Sequence, residues 1–253
     1  MGSKLVVHSL VATLLLGYAV PVWSQEDTSK STIEKAIQAQ GGAENLAKIK
    51  VSKEKTKGVI YIGGMEFSFK TETSQQLPNQ SKVVVALDVG GMQLAIIEVI
   101  NGDKGWTSIN GQTKDADEKE FALMKESIHS SYVNTLLPLL NDKGFELKSL
   151  GETKVDGKVA VGVKVSFKGR HDNKLYFDKD SGLLVKVSRP GQDPVAKAAV
   201  TQDEFYSDYK VVDGVKLPHR VVVHHDGKKF MEADFLEFTF VKSFDAKMFA
   251  RPQ

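Results

Sequence analysis

The chain has 253 residues, 41% of them hydrophobic, enough for one large domain with a core of its own. Its 34 basic and 32 acidic residues nearly cancel and no basic arm or patch stands out, which argues against nucleic acid as a partner. Cysteine is absent, which excludes disulfides, thiolate zinc sites, a cysteine nucleophile and a lipid-modified N-terminal cysteine.

Residues 1–24 read as a secretory signal peptide. Lys4 supplies the positive start, Leu5 to Val20 is mostly apolar but shorter than a membrane span, and Val22 and Ser24 are small enough to flank a cleavage site that leaves Gln25 as the new terminus. An uncleaved anchor is the weaker alternative, because His8, Ser9, Gly17 and Pro21 spoil a spanning helix. No stable membrane span is expected after cleavage. A secreted chain without cysteine fits the periplasm of a bacterial envelope better than a disulfide-rich extracellular module.

The remaining residues, 25–253, are read as one domain. A polar start leads to Ser31, expected to cap a helix with Glu34 three places on, and Ile33, Ala36 and Ile37 share its face. Gly41-Gly42 breaks it, and Ala43 to Ile49 reads as a second short helix with Leu46 and Ile49 inward. From Val51 the period changes to two. Gly58 to Ile62 and Met65 to Lys70 flank a Gly63-Gly64 turn, with Met65, Phe67 and Phe69 on one parity. Ser81 to Val89 places Val83, Val85, Leu87 and Val89 on one face, and a Gly90-Gly91 turn leads to Met92 to Ile100. Asn101-Gly102 and Asn110-Gly111 flank a short strand with Trp106.

Asp117 then caps a long helix, with Glu120 at the third position and Phe121, Met124, Ile128, Tyr132 and Leu136 near helical spacing, until Pro138 stops it. The meander resumes at Phe145. Its clearest strand is Lys158 to Phe167, where Val159, Val161, Val163, Val165 and Phe167 alternate with polar or small residues. Asp156-Gly157, Ser181-Gly182, Asp213-Gly214 and Asp226-Gly227 punctuate the rest. From Phe230 to Val241 the apolar parity switches between Phe235 and Phe238, the mark of a β-bulge. Asp245 to Phe249 reads as one closing helical turn. Ten to twelve strands with few helices predict a mainly β fold, and a sheet that wide is expected to curl into a barrel or half-barrel, whose apolar concave face either helices or a ligand must fill.

Catalytic signatures are missing. There is no Gly-x-Ser-x-Gly elbow, phosphate loop, dinucleotide fingerprint or His-Glu-x-x-His. His224 and His225 point to opposite faces of one strand and read as exposed residues beside a turn rather than as metal ligands. The run Asp178 to Gly182 lacks the acid that an EF-hand needs at loop position twelve, where Arg189 stands, so it reads as a hairpin turn. Asp208, between Tyr206 and Tyr209, reads as a structural acid, buried if anything. No cofactor, metal or enzymatic activity is expected. An unrecognised hydrolase resting on His171 or Asp208 is the least favoured reading.

Three strings carry a resemblance: Gln38-Ala39-Gln40-Gly41-Gly42-Ala43-Glu44-Asn45-Leu46, Leu175 to Leu184, and Tyr206 to Pro218 with its Asp213-Gly214 turn. With the layout of helix, meander, interrupting helix and meander, the chain resembles the outer-membrane lipoprotein-sorting superfamily of LolA- and LolB-like proteins. The resemblance implies a half-open antiparallel barrel whose helices lid a hydrophobic cavity for acyl chains. It implies a lipid or lipoprotein acyl chain as partner, and the absence of cysteine leaves a soluble, monomeric carrier rather than a lipid-anchored receptor. On that pattern the helix from Asp117 to Leu137 is the lid, through Phe121, Met124, Ile128 and Tyr132. The cavity lining is Met65, Phe67, Phe69, Val83, Val85, Leu87, Trp106, Val161, Val163, Val165, Phe167, Phe235 and Phe238. The resemblance also admits a module that binds another envelope protein, as stress-sensing relatives do.

Overall fold

The computed structural model describes residues 25–253, so the expected signal peptide lies outside the described residues. Two short helices and a longer one begin and divide the chain: α1 (Gln25–Ala39), α2 (Ala43–Leu46) and α3 (Glu118–Asn134), the last followed by the single turn α4 (Pro138–Asn141). The strands are β1 (Val51–Ile62), β2 (Met65–Gln76), β3 (Gln80–Val89), β4 (Met92–Asn101), β5 (Lys104–Ile109), β6 (Gln112–Asp115), β7 (Phe145–Val155), β8 (Lys158–Phe167), β9 (Asn173–Asp178), β10 (Leu184–Gln192), β11 (Ala199–Val212), β12 (Val215–His225) and β13 (Lys228–Phe240). All thirteen form one antiparallel sheet in the order β6-β5-β4-β3-β2-β1-β13-β12-β11-β10-β9-β8-β7. The chain lays down β1 to β6 outward from the centre. Helix α3 then carries it to the opposite edge, and β7 to β13 work back until β13 pairs with β1. The edge strands β6 and β7 do not pair with each other, so the sheet is open, and the fold is mainly β as the sequence implied.

The sheet must be strongly curled. Near its start α3 lays Phe121 and Met124 over Gly105 of β5, and farther along Ser130 donates to the Asn173 side chain of β9 at 3.1 Å. A helix covers only ~14 Å between Phe121 and Ser130. In a flat sheet β5 and β9 would lie ~43 Å apart at the usual strand spacing. Only a sheet bent round the helix brings them within reach.

The turns follow the local chemistry. Asn110-Gly111, Asp156-Gly157, Asp213-Gly214 and Asp226-Gly227 all have positive φ at both positions, the backbone that a two-residue hairpin needs to match strand twist. The bulge read from the Phe235–Phe238 parity switch lies opposite Lys55 and Thr56, and it pushes Leu236 out to solvent. Asp117 closes a full capping box with Glu120. Two expectations need correction. Ser31 does not cap a helix: α1 already runs from Gln25, and the Ser31 and Thr32 hydroxyls donate back to the Thr28 carbonyl, an arrangement a helix interior tolerates. And α3 ends at Asn134, four residues before Pro138; just beyond it Leu136 turns left-handed at φ 64° and the Thr135 hydroxyl donates to the Tyr132 carbonyl.

Antiparallel partners share a face, so the inner surface can be traced across the register. One row runs Val163–Leu175–Val187–Glu204–Val223–Met231–Ile60–Phe67. On β7 to β10 and the first residues of β12 this face is sealed by the chain's own helices: Ile33, Ala36 and Ile37 of α1, Val133 at the end of α3, Leu136, and Leu139 of α4 join Val163, Val165, Leu175, Phe177, Val187 and Leu217 in one buried core. The opposite face is covered at β3 and β4 by the C-terminal turn Ala246–Phe249, with Phe249 buried and its carbonyl bound by Asn101.

Candidate ligand cavity

The inner face of β1 to β3, β12 and β13 has no such filling. Its apolar cluster contains Phe69, Val221, Val223 and Ala233, flanked by half-buried Ile60, Val85, Leu87, Tyr206, Phe230, Met231 and Phe235, and among the described residues no helical one belongs to it. Half-buried Phe67 stands beside it on the same face, paired with Ile60. Gly58 forms its floor. A Cβ there would lie 2.2 Å from the Glu232 carbonyl oxygen and 2.7 Å from Phe69 Cζ, so the absence of a side chain lets the Phe69 ring cross β1. The trough opens at the β1–β2, β3–β4 and β5–β6 hairpin tips. There Met65, Met92 and Ile109, all on the inner face by register, are 60%, 73% and 45% exposed. The two GG tips repeat one pattern, Ile62-Gly63-Gly64-Met65 and Val89-Gly90-Gly91-Met92.

At its deep end the trough runs beneath α3 into a cavity of about 210 Å³. Phe235, Phe238 and Phe240 of β13, Leu217 of β12, and Leu184 form its apolar wall; Phe235 and Phe238 are stacked with centroids 5.3 Å apart. The remaining wall is polar. Ser52 and Glu54 project from β1, Gln75 from β2, and Ser131 and Asn134 from α3. Gln40 enters from the loop after α1. That loop is held by a tight contact: Gly41, at φ 121°, meets the β11–β12 turn so closely that a Cβ would lie 2.2 Å from the Gly214 carbonyl oxygen. The Lys216 amide also donates to the Gln40 carbonyl at 2.8 Å. Under the middle of α3, Val83, Glu98, Ser127 and Ile128 line a smaller adjoining hollow that shares Gln75 and Ser131.

The electrostatics of the cavity are one-sided. Among the described residues no Lys, Arg or His lines it, and Glu54 is its one charged side chain. Glu54 is half-buried by area, but loss of bulk water pushes its carboxyl up to about 7, against a smaller downward pull from the Thr73 hydroxyl. Glu98, whose side chain reaches solvent, is raised as well, by desolvation first and by the charge of Glu120 second. Strong donors around the cavity are already engaged. Tyr206 donates to Glu204, Tyr209 to the Leu184 carbonyl, and the Asn134 amide to the Tyr206 hydroxyl at 3.5 Å. Burial raises both tyrosines, Tyr206 further through the Glu204 charge. What stays open is acceptor capacity: Gln40 Oε1 and Asn134 Oδ1 are buried without a partner.

The residues expected to line a cavity are thus divided among several places. Phe69, Val85, Leu87 and Phe235 lie together in the trough, Phe67 stands at its side paired with Ile60, and Phe235 and Phe238 line the cavity under α3. Val83 lines the adjoining hollow, and Met65 stands at the mouth. Val163 and Val165 lie in the packed half, with Val161 in the same strand and half-buried. Phe167 packs there against Phe145 and His129, at 4.9 and 5.4 Å between centroids. Trp106 pairs with Val99 and Asp115, so it lies on the face away from Glu98 and Thr107. On the roof helix, Phe121, Met124 and Tyr132 flank the buried Ile128, which packs on Leu77 and Ile100. The parity pattern did not reveal Glu54, Gln40, Ser131 or Asn134. The available signal was polar residues at positions 127, 131 and 134, a stripe beside the apolar one on the same helix.

Other sites are structural. Asp208 is not buried: its backbone is left-handed at φ 54°, it is about half exposed, and it pairs with Lys210 at 2.9 Å. His225 is not exposed: it stacks on Phe230 at 3.8 Å, and burial lowers its pKa. His171 faces Glu126 at 3.5 Å on the surface. Among the described residues no group of three or more His, Asp or Glu could hold a metal ion, and no helix is long and apolar enough to cross a membrane.

No protein-family model and no curated protein matches the chain. Solved structures match its fold. A LolA superfamily protein from Nitrosomonas europaea aligns over 88% of this chain and 97% of its own, with TM-score 0.57 at 11% identity. A DUF1329 family protein from Desulfovibrio piger gives the same coverage and TM-score at 15% identity. A domain named for outer-membrane lipoprotein sorting, from Vibrio parahaemolyticus, gives 0.54 at 11%, again over 88% and 97%. The chain therefore has the open-sheet fold of the LolA superfamily proteins.

Proposed function

We propose that this protein is a periplasmic carrier that sequesters a lipid or lipoprotein acyl chain along the helix-free trough. The observation that carries the reading is that Phe69, Val223, Ile60, Val85, Leu87 and Met231 form an apolar cluster to which, among the described residues, no helix contributes, with Phe67 beside Ile60 on the same face. Along β1 the trough runs from Glu54 to Ile62, ~27 Å of strand. One leaflet's worth of hydrocarbon is ~15 Å, so a membrane acyl chain fits with length to spare. Each methylene taken from water contributes ~0.8 kcal/mol, and a full chain in this trough recovers much of what it loses on leaving a bilayer. The apolar tips at Met65 and Met92 place greasy side chains at the mouth, where a chain would enter. The protein is read as a monomer without enzymatic activity, its role being to bind and release.

The test is native mass spectrometry of the purified protein with lipid extraction, alongside the Phe67→Asp variant. Co-purifying lipid in the parent and none in a folded variant is the expected result. Equal lipid in both would remove the trough from the account. A stable protein partner with no lipid would instead favour an envelope interaction module.

A further inference from the structure

The cavity beneath α3 is unlike the trough that leads into it. A hollow meant only for hydrocarbon would be lined by carbon. This one contains a carboxylate with no cation beside it and two buried amide oxygens with no donor. Gln40 is only 5% exposed, and its loop is fixed by the Gly41–Gly214 contact, so its orphan oxygen is not a loose surface group. Buried acceptors without protein partners are costly unless water or a guest supplies donors, and several of them facing one cavity mark where a guest's donors would be received. The neighbouring polar cluster shows what self-sufficiency looks like in the same sheet. Glu204 accepts from Arg189 at 3.0–3.1 Å, from Gln202 at 2.7 Å and from Tyr206, and needs nothing from outside.

We infer that this cavity seats a primary ammonium group carried on an apolar chain, with Glu54 as its counter-ion and Gln40 Oε1 and Asn134 Oδ1 as its other acceptors. An alkylammonium brings three N–H donors and one positive charge, which matches three acceptors and one negative charge. The rings of Phe235 and Phe238 flank the site, where a cation gains from an aromatic face. The volume, roughly that of seven waters, suits a small head and excludes a large one. The chain would lie outward along the trough, head inward and tail toward Met65 and Met92. This inference rests on the trough holding the apolar chain, and it adds what the inner end of that chain carries. A free long-chain amine carries this group directly on its chain, and a phosphatidylethanolamine-type lipid carries the same ammonium beyond a phosphate that would have to stay outside the cavity.

Two soluble probes of equal length, octylammonium and octanol, are titrated into the full described chain by displacement of an apolar fluorophore, in the parent and in Glu54→Gln. Expected at pH 8 is at least tenfold tighter binding of octylammonium by the parent. Glu54→Gln, nearly the same shape, should lose that preference while keeping its affinity for octanol. Equal binding of both probes by the parent, or a preference that survives in Glu54→Gln, overturns the ammonium site and leaves the trough reading intact. Failure of both probes to bind the folded parent defeats the trough reading itself, and with it this one. A parallel arm with vesicles of phosphatidylethanolamine or phosphatidylglycerol separates the sources. Selective extraction of the former identifies a lipid head, and octylammonium binding without extraction identifies a free amine. Melting curves of both proteins establish that Glu54→Gln is folded.

Discussion

Val163 and Phe67 stand at two ends of one inner-face row, on strands with the same alternating pattern, yet their surroundings are opposite. Val163 is fully buried in a core completed by α1, α4 and the end of α3. Phe67 is half-buried and pairs with Ile60 at the edge of a cluster to which, among the described residues, no helix contributes. One sheet therefore serves two purposes: its β7–β10 half anchors the fold, and its β1–β3 half with β13 presents apolar surface. A protein that spends its helices unevenly in this way keeps the stability of a closed core while leaving a surface that something else must cover.

The sharpest way to break that comparison is to put the same charge at both positions. Val163→Asp buries a carboxylate in a sealed core and should cost at least about 4 kcal/mol, enough to prevent stable folding. Phe67→Asp should change stability by less than about 1 kcal/mol in chemical denaturation, because its new charge can reach water. Similar losses at both sites would mean that the two halves are equally packed.

The next effect concerns Glu54, at the boundary between the halves. In the folded protein its carboxyl keeps its proton up to about 7, whereas in the unfolded chain it releases it near 4.5. The folded state therefore binds more protons between those values, and stability should fall as pH rises through that window, by at most about 3 kcal/mol, then level off. The groups around Glu54 do not reverse this. Tyr206 and Tyr209 stay neutral there, no basic side chain among the described residues lines the cavity, and Glu98, which shares its face across Thr73 and Val83, shifts in the same direction. Denaturation midpoints of parent and Glu54→Gln from pH 4 to pH 8 should converge at low pH and diverge at high pH. Parallel curves would show that Glu54 sits in water after all.

Gly58 probes the floor of the open half. A methyl there meets the Glu232 carbonyl and the Phe69 ring, and both must shift. Gly58→Ala should cost about 1–3 kcal/mol by overpacking, and should also reduce chain binding, since Phe69 would be lifted into the trough. A thermal melt and a fluorophore titration on the same sample check both. Stability lost with binding unchanged would show that Phe69 does not line the chain's path.

Much of the fold was legible because local chemistry dictates it. Asn-Gly and Asp-Gly pairs specify hairpins, the Phe235–Phe238 parity switch marks a bulge, and Asp117 with Glu120 marks a helix start. The division of labour was not legible, because alternation records that a face is apolar and not what covers it. Val163 and Phe67 are indistinguishable on that criterion, and so was Trp106, whose face depends on the β4–β5 register rather than on its own neighbours. The cavity escaped for a related reason. Glu54 sits in the charged run Lys53-Glu54-Lys55, which reads as a solvated strand, and only the fold shows that Lys55 faces out to Glu237 while Glu54 faces Phe238.

The smallest effect tests whether α3 acts as a roof or only as a connection. Its first turn is held by the Asp117 carboxylate, which accepts from the Glu120 amide at 2.9 Å, while the Glu120 carboxylate accepts from the Asp117 amide at 3.2 Å. Those bonds keep the Asp117 carboxyl below its ordinary value. Asp117→Ala removes the cap and should cost about 1 kcal/mol, with Asp117→Asn restoring most of it. Because the middle of α3 covers the Glu98 hollow and its end is locked into the packed core through Val133, the loss should be confined to the turns nearest Asp117. Hydrogen exchange should speed up over residues 118–124 and stay unchanged over 130–134. If the roof gates the trough, release of a bound chain should quicken in the same variant by a fewfold while affinity for the head remains set by Glu54. Faster exchange along the whole helix would mean that α3 opens as a unit, and the two halves of the sheet would then be coupled through it rather than independent.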